Sequence, residues 1–166
     1  MIFLRKILIT TDMSEFSLAA MEYAASLGLL YAARLYLLHV LEHAPAGTKR
    51  YGREVDSRAQ QQRAEERAAR ELEDFVMNKV GSDVRLVPVV RSGSPPEAIK
   101  QFTEEEGIDL IVMATHGRTG LRHILMGSVA EKVVRISNIP VLTVKPRPLR
   151  EAILENEDIE SELHLP

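Results

Sequence analysis

The chain has no cysteine and no tryptophan among its 166 residues. Without cysteine there is neither a disulfide framework nor a thiolate nucleophile, which fits a reducing cytoplasm. Aromatics make up only 5%, too few for the stacking surfaces that often accompany a basic nucleic-acid-binding face. No apolar run approaches the roughly 18 residues needed to span a bilayer. The opening Met1-Ile2-Phe3-Leu4-Arg5-Lys6 puts its charges after a very short apolar stretch, the reverse of a secretory signal. A dominant charge is missing too: the formal net charge is −3. From Leu149 onward, Glu151, Glu155, Glu157, Asp158, Glu160 and Glu162 stand against Arg150 alone, which leaves residues 1–148 at +2. We therefore expect neither a nucleic-acid nor a membrane partner.

What is present is a chain of single-domain size with 45% apolar residues, enough for a real core. Residues 1–146 read as that domain and 147–166 as an acidic tail. Strand-like and helix-like runs alternate. Lys6 to Thr10 is a β-branched run ending at Thr11-Asp12, a buried strand. Over residues 14–33, Phe16, Ala19, Ala20, Tyr23, Ala24, Leu27 and Leu30 recur at helical spacing, with Asp12 or Ser14 as cap. Arg34 to Leu41 reads as the second strand. A long helix is expected over 54–79 with Ala64, Ala68, Leu72, Phe75 and Val76 on one face. Its outer face spaces Glu66–Arg70 and Arg67–Glu71 for ion pairs. Val84 to Val90 reads as a strand whose Pro88 points to a sheet edge. Ser94-Pro95-Pro96-Glu97 has the pattern of a capping box opening a helix to about Glu106. A fourth strand at 109–114, a helix from Ser128 to about Ser137, and a fifth strand at Pro140 to Val144 complete the order.

Such βα alternation predicts a parallel sheet covered by helices on both faces, with ligands bound beyond the carboxyl ends of its strands. Two polar strand exits stand out, Thr10-Thr11-Asp12 and Ala114-Thr115-His116-Gly117. They share one crevice if the first and fourth strands are neighbours. After the fourth strand, spaced glycines lead to Gly127-Ser128 at the start of a helix. Glycines let the backbone approach a phosphate, and a helix N-terminus presents N–H groups and the positive dipole end. The ligand these features fit is a phosphorylated small molecule, a nucleotide in particular. Ser128 with Glu131 also fits a plain capping box, and Asp12 also fits a plain helix cap. His116 and His123 lie seven apart without a third ligand at metal-like spacing, so no metal site is read from them. His39 reads as a hydrogen-bonded interior or edge residue.

The chain resembles the universal stress protein (UspA-type) family from Arg5 to Pro146. The resemblance rests on Ile7-Leu8-Ile9-Thr10-Thr11-Asp12-Met13-Ser14, on Leu38-His39-Val40, and on Thr115-His116-Gly117-Arg118-Thr119-Gly120. It rests also on Leu125-Met126-Gly127-Ser128-Val129-Ala130 and Ile139-Pro140-Val141-Leu142-Thr143-Val144. It implies a Rossmann-like sandwich of the adenine nucleotide alpha hydrolase type, with a five-stranded parallel sheet of order 3-2-1-4-5. It implies a homodimer through the fifth strand, over Val141, Leu142, Thr143 and Val144, an edge that invites strand addition in any case. It also implies an ATP- or AMP-binding stress-response regulator acting as a nucleotide-dependent switch. Asp12 would lie near ribose or phosphates, the Val40 main chain at the adenine edge, and Thr10 and Thr11 at the pocket floor. Met113, Arg118 and Met126 would form walls or phosphate contacts, and Val129 belongs to the helix start that carries Gly127 and Ser128. Mg²⁺ would be held through the phosphates, without a carboxylate cage.

The family's nucleotide-binding branch carries Gly-x2-Gly-x9-Gly-Ser/Thr. Here that pattern falls on Ala114, Gly117, Gly127 and Ser128, so alanine replaces its first glycine. One methyl is tolerable at Ala114 if φ is negative and costly if φ is positive. The alternative is therefore a nucleotide-free dimeric stress scaffold. A slow ATPase is a third reading, but no Walker loop, Gly-x-Ser-x-Gly elbow or Cys–His pair is present, and no residue suggests itself for placing a nucleophile. The tail, with Leu149, Ile153, Leu154, Ile159 and Leu163 among its acids, reads as an amphipathic helix docking on the body or another protein, or as a disordered end.

Overall fold

Five apolar runs pair into one sheet, and the segments between them fold over both of its faces. The structure, a computed structural model, describes residues 2–42, 57–80, 85–116 and 126–146. Along the chain come β1 (Lys6–Thr11), α1 (Glu15–Tyr31), β2 (Arg34–Leu41) and α2 (Ser57–Phe75), the last continued by a π-helical turn (Val76–Val80). β3 (Leu86–Ser92), α3 (Pro95–Glu106), β4 (Leu110–Ala114), α4 (Ser128–Ile136) and β5 (Val141–Val144) follow. All strand pairs are parallel and the order is β3-β2-β1-β4-β5, as the family resemblance implies.

The central strands are apolar at nearly every position because both sheet faces are covered. Alternate residues divide between two cores. Ile7, Ile9, Leu35, Leu37, Leu110 and Val112 meet Ala20, Met21 and Ala24 of α1 and Leu72 of α2. Leu8, Tyr36, Leu38, Ile111 and Met113 meet Ile99 and Phe102 of α3 and Ala130 and Val133 of α4. Each fully buried aliphatic side chain contributes roughly 1.5–3 kcal/mol. At the amino edge of the sheet, Asp109 Oδ2 accepts the Arg5 and Lys6 N–H groups at 2.7 and 2.9 Å, tying β1 to the start of β4.

Local readings needed correction in four places. β3 begins two residues later than the apolar run suggests and ends at Ser92. Its pairing with β2 sets the register, Leu35↔Leu86 to Leu41↔Ser92, and admits polar Arg91 and Ser92. Pro88 does lie on an edge strand. On α2, Arg67–Glu71 forms at 3.5 Å, whereas Glu66 accepts from the Gln62 amide at 3.2 Å rather than pairing with Arg70. The Ser94 hydroxyl bonds the Glu97 carboxylate instead of a backbone N–H. Pro95 and Pro96 have no N–H, so Glu97's is the first in the helix that a cap could receive. Finally, the N-cap of α4 is Gly127, and Ser128 is the first helical residue, so the Ser128–Glu131 capping box does not form. The start of the α2 helix expected from 54, and Gly81 after it, lie outside the described residues.

Candidate functional site

β1 and β4 are direct neighbours, with Ile7↔Leu110, Leu8↔Ile111 and Ile9↔Val112 in register. Their polar exits therefore open into the same edge of the sheet. β2 flanks β1 on the other side, Thr11↔His39, which sets Val40 one residue beyond. Val40, Met113, Met126 and Val129 all pack against the core on the α3/α4 face, and Thr10 shares that face by strand alternation with Leu8. Five of the sequence-predicted positions are thus brought together at the carboxyl edge.

Thr11 points the other way. Its hydroxyl meets Ser17 Oγ at 2.8 Å and accepts the Met13 N–H at 2.9 Å. Ser17 Oγ donates to the Ser14 carbonyl at 2.7 Å, so the Thr11 hydroxyl is the donor in the Thr11–Ser17 pair. The Thr11 carbonyl lies 2.9 Å from His39 Nδ1, and because a carbonyl only accepts, this bond puts the hydrogen on Nδ1. Asp12 Oδ1 receives the Ser14 N–H at 3.0 Å and the Ser14 hydroxyl at 2.6 Å, a local turn that leaves Ser14 as the N-cap of α1. Between them Met13 adopts φ 61°, a left-handed conformation costly for a non-glycine residue. These bonds fix the β1 exit in one shape.

Across the crevice, Thr115 and His116 are buried and joined, Thr115 Oγ1 to His116 Nδ1, at 2.9 Å. The Thr115 carbonyl accepts the Gly127 N–H at 2.6 Å, drawing the start of α4 onto the end of β4. A Cβ at Gly127 would stand 2.9 Å from that same oxygen, closer than side chains tolerate. The N–H groups of Ser128, Val129 and Ala130 have no carbonyl within the helix to bond, which makes this turn an anion-receptive surface. Ala114 lies in β4, and the non-glycine residues with positive φ among those described are Met13 and Ala32. Its φ is therefore negative, and its methyl packs against the core under α1. Gly117, Arg118 and His123 lie outside the described residues.

Sequence reasoning undervalued Met13, Ser14 and Thr115. The Asp-x-Ser spacing carries a signal for the first turn, whereas Thr115 acts at Gly127 through its backbone and leaves no side-chain mark. At the far edge, the Pro140 carbonyl accepts the Ile111 N–H and the Val144 carbonyl the Thr115 N–H just past β4. By ladder alternation Val141, Thr143 and Lys145 turn their main-chain groups outward.

A model of the universal stress protein family matches residues 4–145. Universal stress protein MJ0577 of Methanocaldococcus jannaschii is 35% identical over 156 residues, covering 85% of this chain and 94% of that protein. A solved structure of MJ0577 superposes with a TM-score of 0.70 at 33% identity, over 88% of this chain and 99% of the other. A universal stress protein solved in complex with cAMP gives a TM-score of 0.58 at 22% identity, over 85% and 97%, a likeness of fold.

Proposed function

This chain belongs to the universal stress protein family, and from that premise we propose that it is a stress-response regulator binding an adenine nucleotide, ATP or AMP, where β1 and β4 end. The phosphates sit at the first turn of α4, on the amides around Gly127, Ser128 and Val129, with Gly117 and Arg118 completing the loop. The adenine lies along the Val40 main chain, with Thr10, Met113 and Met126 around it and Asp12 toward the ribose or phosphates. The chain's own residues bind and orient the nucleotide; Mg²⁺ is carried by the phosphates and keeps waters.

One observation carries this reading: the N-terminus of α4 is held against the exit of β4 by a glycine whose site has no room for a Cβ. Backbone amides brought this close to a strand exit suit a phosphate better than a side chain. A relative with this fold holds cAMP, so the architecture is compatible with an adenine ring. Ala114, the residue that favours a nucleotide-free scaffold, loses force because its φ is negative and its methyl packs under α1.

The nucleotide acts as a switch by biasing a homodimer formed through the open edge of β5. Titration calorimetry with ATP and with AMP, on the natural chain and on Gly127→Trp, tests the binding. Heat with the natural chain and none with the variant is expected. Absence of binding by the natural chain would end the proposal.

A further inference from the structure

The sheet ends in two edge strands, and they are built differently. β5 has neither proline nor a charged residue within Val141–Val144. β3, at the opposite end of the sheet, carries Pro88 near its middle and Arg91 near its end. An edge is a row of main-chain donors and acceptors that a second strand can join. Whatever interrupts that row decides whether the edge is usable.

The direction of each main-chain group on β3 follows from the ladder. Just past the end of β3, the Gly93 N–H donates to the Leu41 carbonyl at 2.9 Å. In a parallel pair, alternate residues turn their groups to the same neighbour. Counting back from Gly93, in the register Leu35↔Leu86 to Leu41↔Ser92, Arg91, Val89 and Val87 face β2. Ser92, Val90, Pro88 and Leu86 face outward. Pro88 therefore stands in the outward row, where its missing N–H costs β3 no bond to β2. An incoming strand would find a gap in the donors there, with the proline ring in the path of its main chain. Beyond the gap only Val90 and Ser92 face outward, and between them Arg91 is exposed and pairs with Glu105 at 3.6 Å. Neither side of the gap offers an unbroken run like Val141, Thr143 and Lys145 at the other edge.

The consequence for assembly is a matter of symmetry. Two copies joined through β5 would make one continuous sheet with a β3 at each end. If those ends also paired, growth would not close, because self-pairing surfaces at opposite ends of one body propagate as an open chain. We propose that Pro88 closes the β3 edge to a second copy of this chain, so that the protein assembles through β5 alone and stops at a dimer. The block at β3 stands by itself; the dimer as end point rests on the β5 pairing proposed with the nucleotide switch.

Pro88 is exposed, so its replacement removes little from the core. Pro88→Val and Pro88→Thr both restore the N–H, one with an apolar and one with a polar side chain. In sedimentation of the full-length protein over a concentration series, the natural chain should level off at twice the chain mass. Both variants should climb past it, with association through β3 strengthened by about tenfold or more. Adding Thr143→Pro to either variant should end that growth at a dimer. Variants that level off where the natural chain does would overturn the block at β3. Growth by Pro88→Val alone would overturn it as well, by assigning association to an apolar side chain instead of the amide. A monomeric natural chain whose Pro88 variants reach a dimer would remove the β5 pairing and uphold the block.

Discussion

The Gly127 amide donates to the Thr115 carbonyl at 2.6 Å, and a methyl on Gly127 would stand 2.9 Å from the same oxygen. The start of α4 is therefore pressed onto the end of β4 with no space for a side chain between them. Gly127→Ala must push the two apart. We expect a stability loss of about 1–3 kcal/mol by urea denaturation and nucleotide affinity reduced at least about tenfold by calorimetry. Full affinity in this variant would separate the close approach from the binding role.

Ala114→Gly should behave differently. The strand conformation at this residue is one that any L-residue adopts, and its methyl contributes to the core under α1. Affinity should stay within about twofold of the natural chain, while stability falls by about 0.5–1 kcal/mol from the freedom of glycine in a strand. A large gain in binding would instead revive the nucleotide-free scaffold.

The Thr11 hydroxyl joins Ser17 to the Met13 N–H beneath the crevice. Thr11→Val keeps the shape but leaves the Met13 N–H without its acceptor and Ser17 Oγ with only its bond to the Ser14 carbonyl, at a cost of about 1–3 kcal/mol. Thr11→Ser should recover most of it. Comparison of the two denaturation midpoints tests whether the hydroxyl, rather than the side-chain volume, holds the β1 exit.

At the open edge of β5, Thr143→Pro removes an outward N–H without touching the bonds to β4. Sedimentation over a concentration series should show dimerisation weakened by about tenfold or more. A purely monomeric natural chain at micromolar concentration would refute strand pairing there.

The Ser94 hydroxyl, with a backbone bond second, holds the Glu97 carboxyl below its ordinary 4.5. A carboxylate depressed in the folded state stabilises the protein above the unfolded pKa and loses that contribution as pH falls through the folded value. Ser94→Ala should move the Glu97 titration back up toward 4.5 in a carboxyl-detected NMR experiment. An unmoved titration would mean that the hydroxyl bond does not set it.

Much of this fold is legible in the linear pattern. Strands buried on both faces must be runs of aliphatic residues, so β1, β2 and β4 emerge within a residue of their ends. Pro88 marks an edge because it has no N–H to give a second neighbour. Legibility fails where partners, not patterns, set the limits. β3 is shifted by its register with β2, and Glu66 finds Gln62 in place of Arg70.

The candidate site divides in the same way. Gly127-Ser128 before an amphipathic run marks a helix start that can receive an anion, and the sequence alone determined that much, together with the alternation that demands a parallel sheet. Only the tertiary structure decided that β4 lies beside β1, that Thr11 turns toward α1 while Thr10 faces α4's side, and that Gly127 rather than Ser128 caps the helix. The reason is physical. Hydrophobic period and backbone propensity are local and survive in the order of residues, whereas strand neighbours such as Ile7 and Leu110, the approach of Gly127 to Thr115 and the direction of the Thr11 hydroxyl are fixed by how separate elements pack in space.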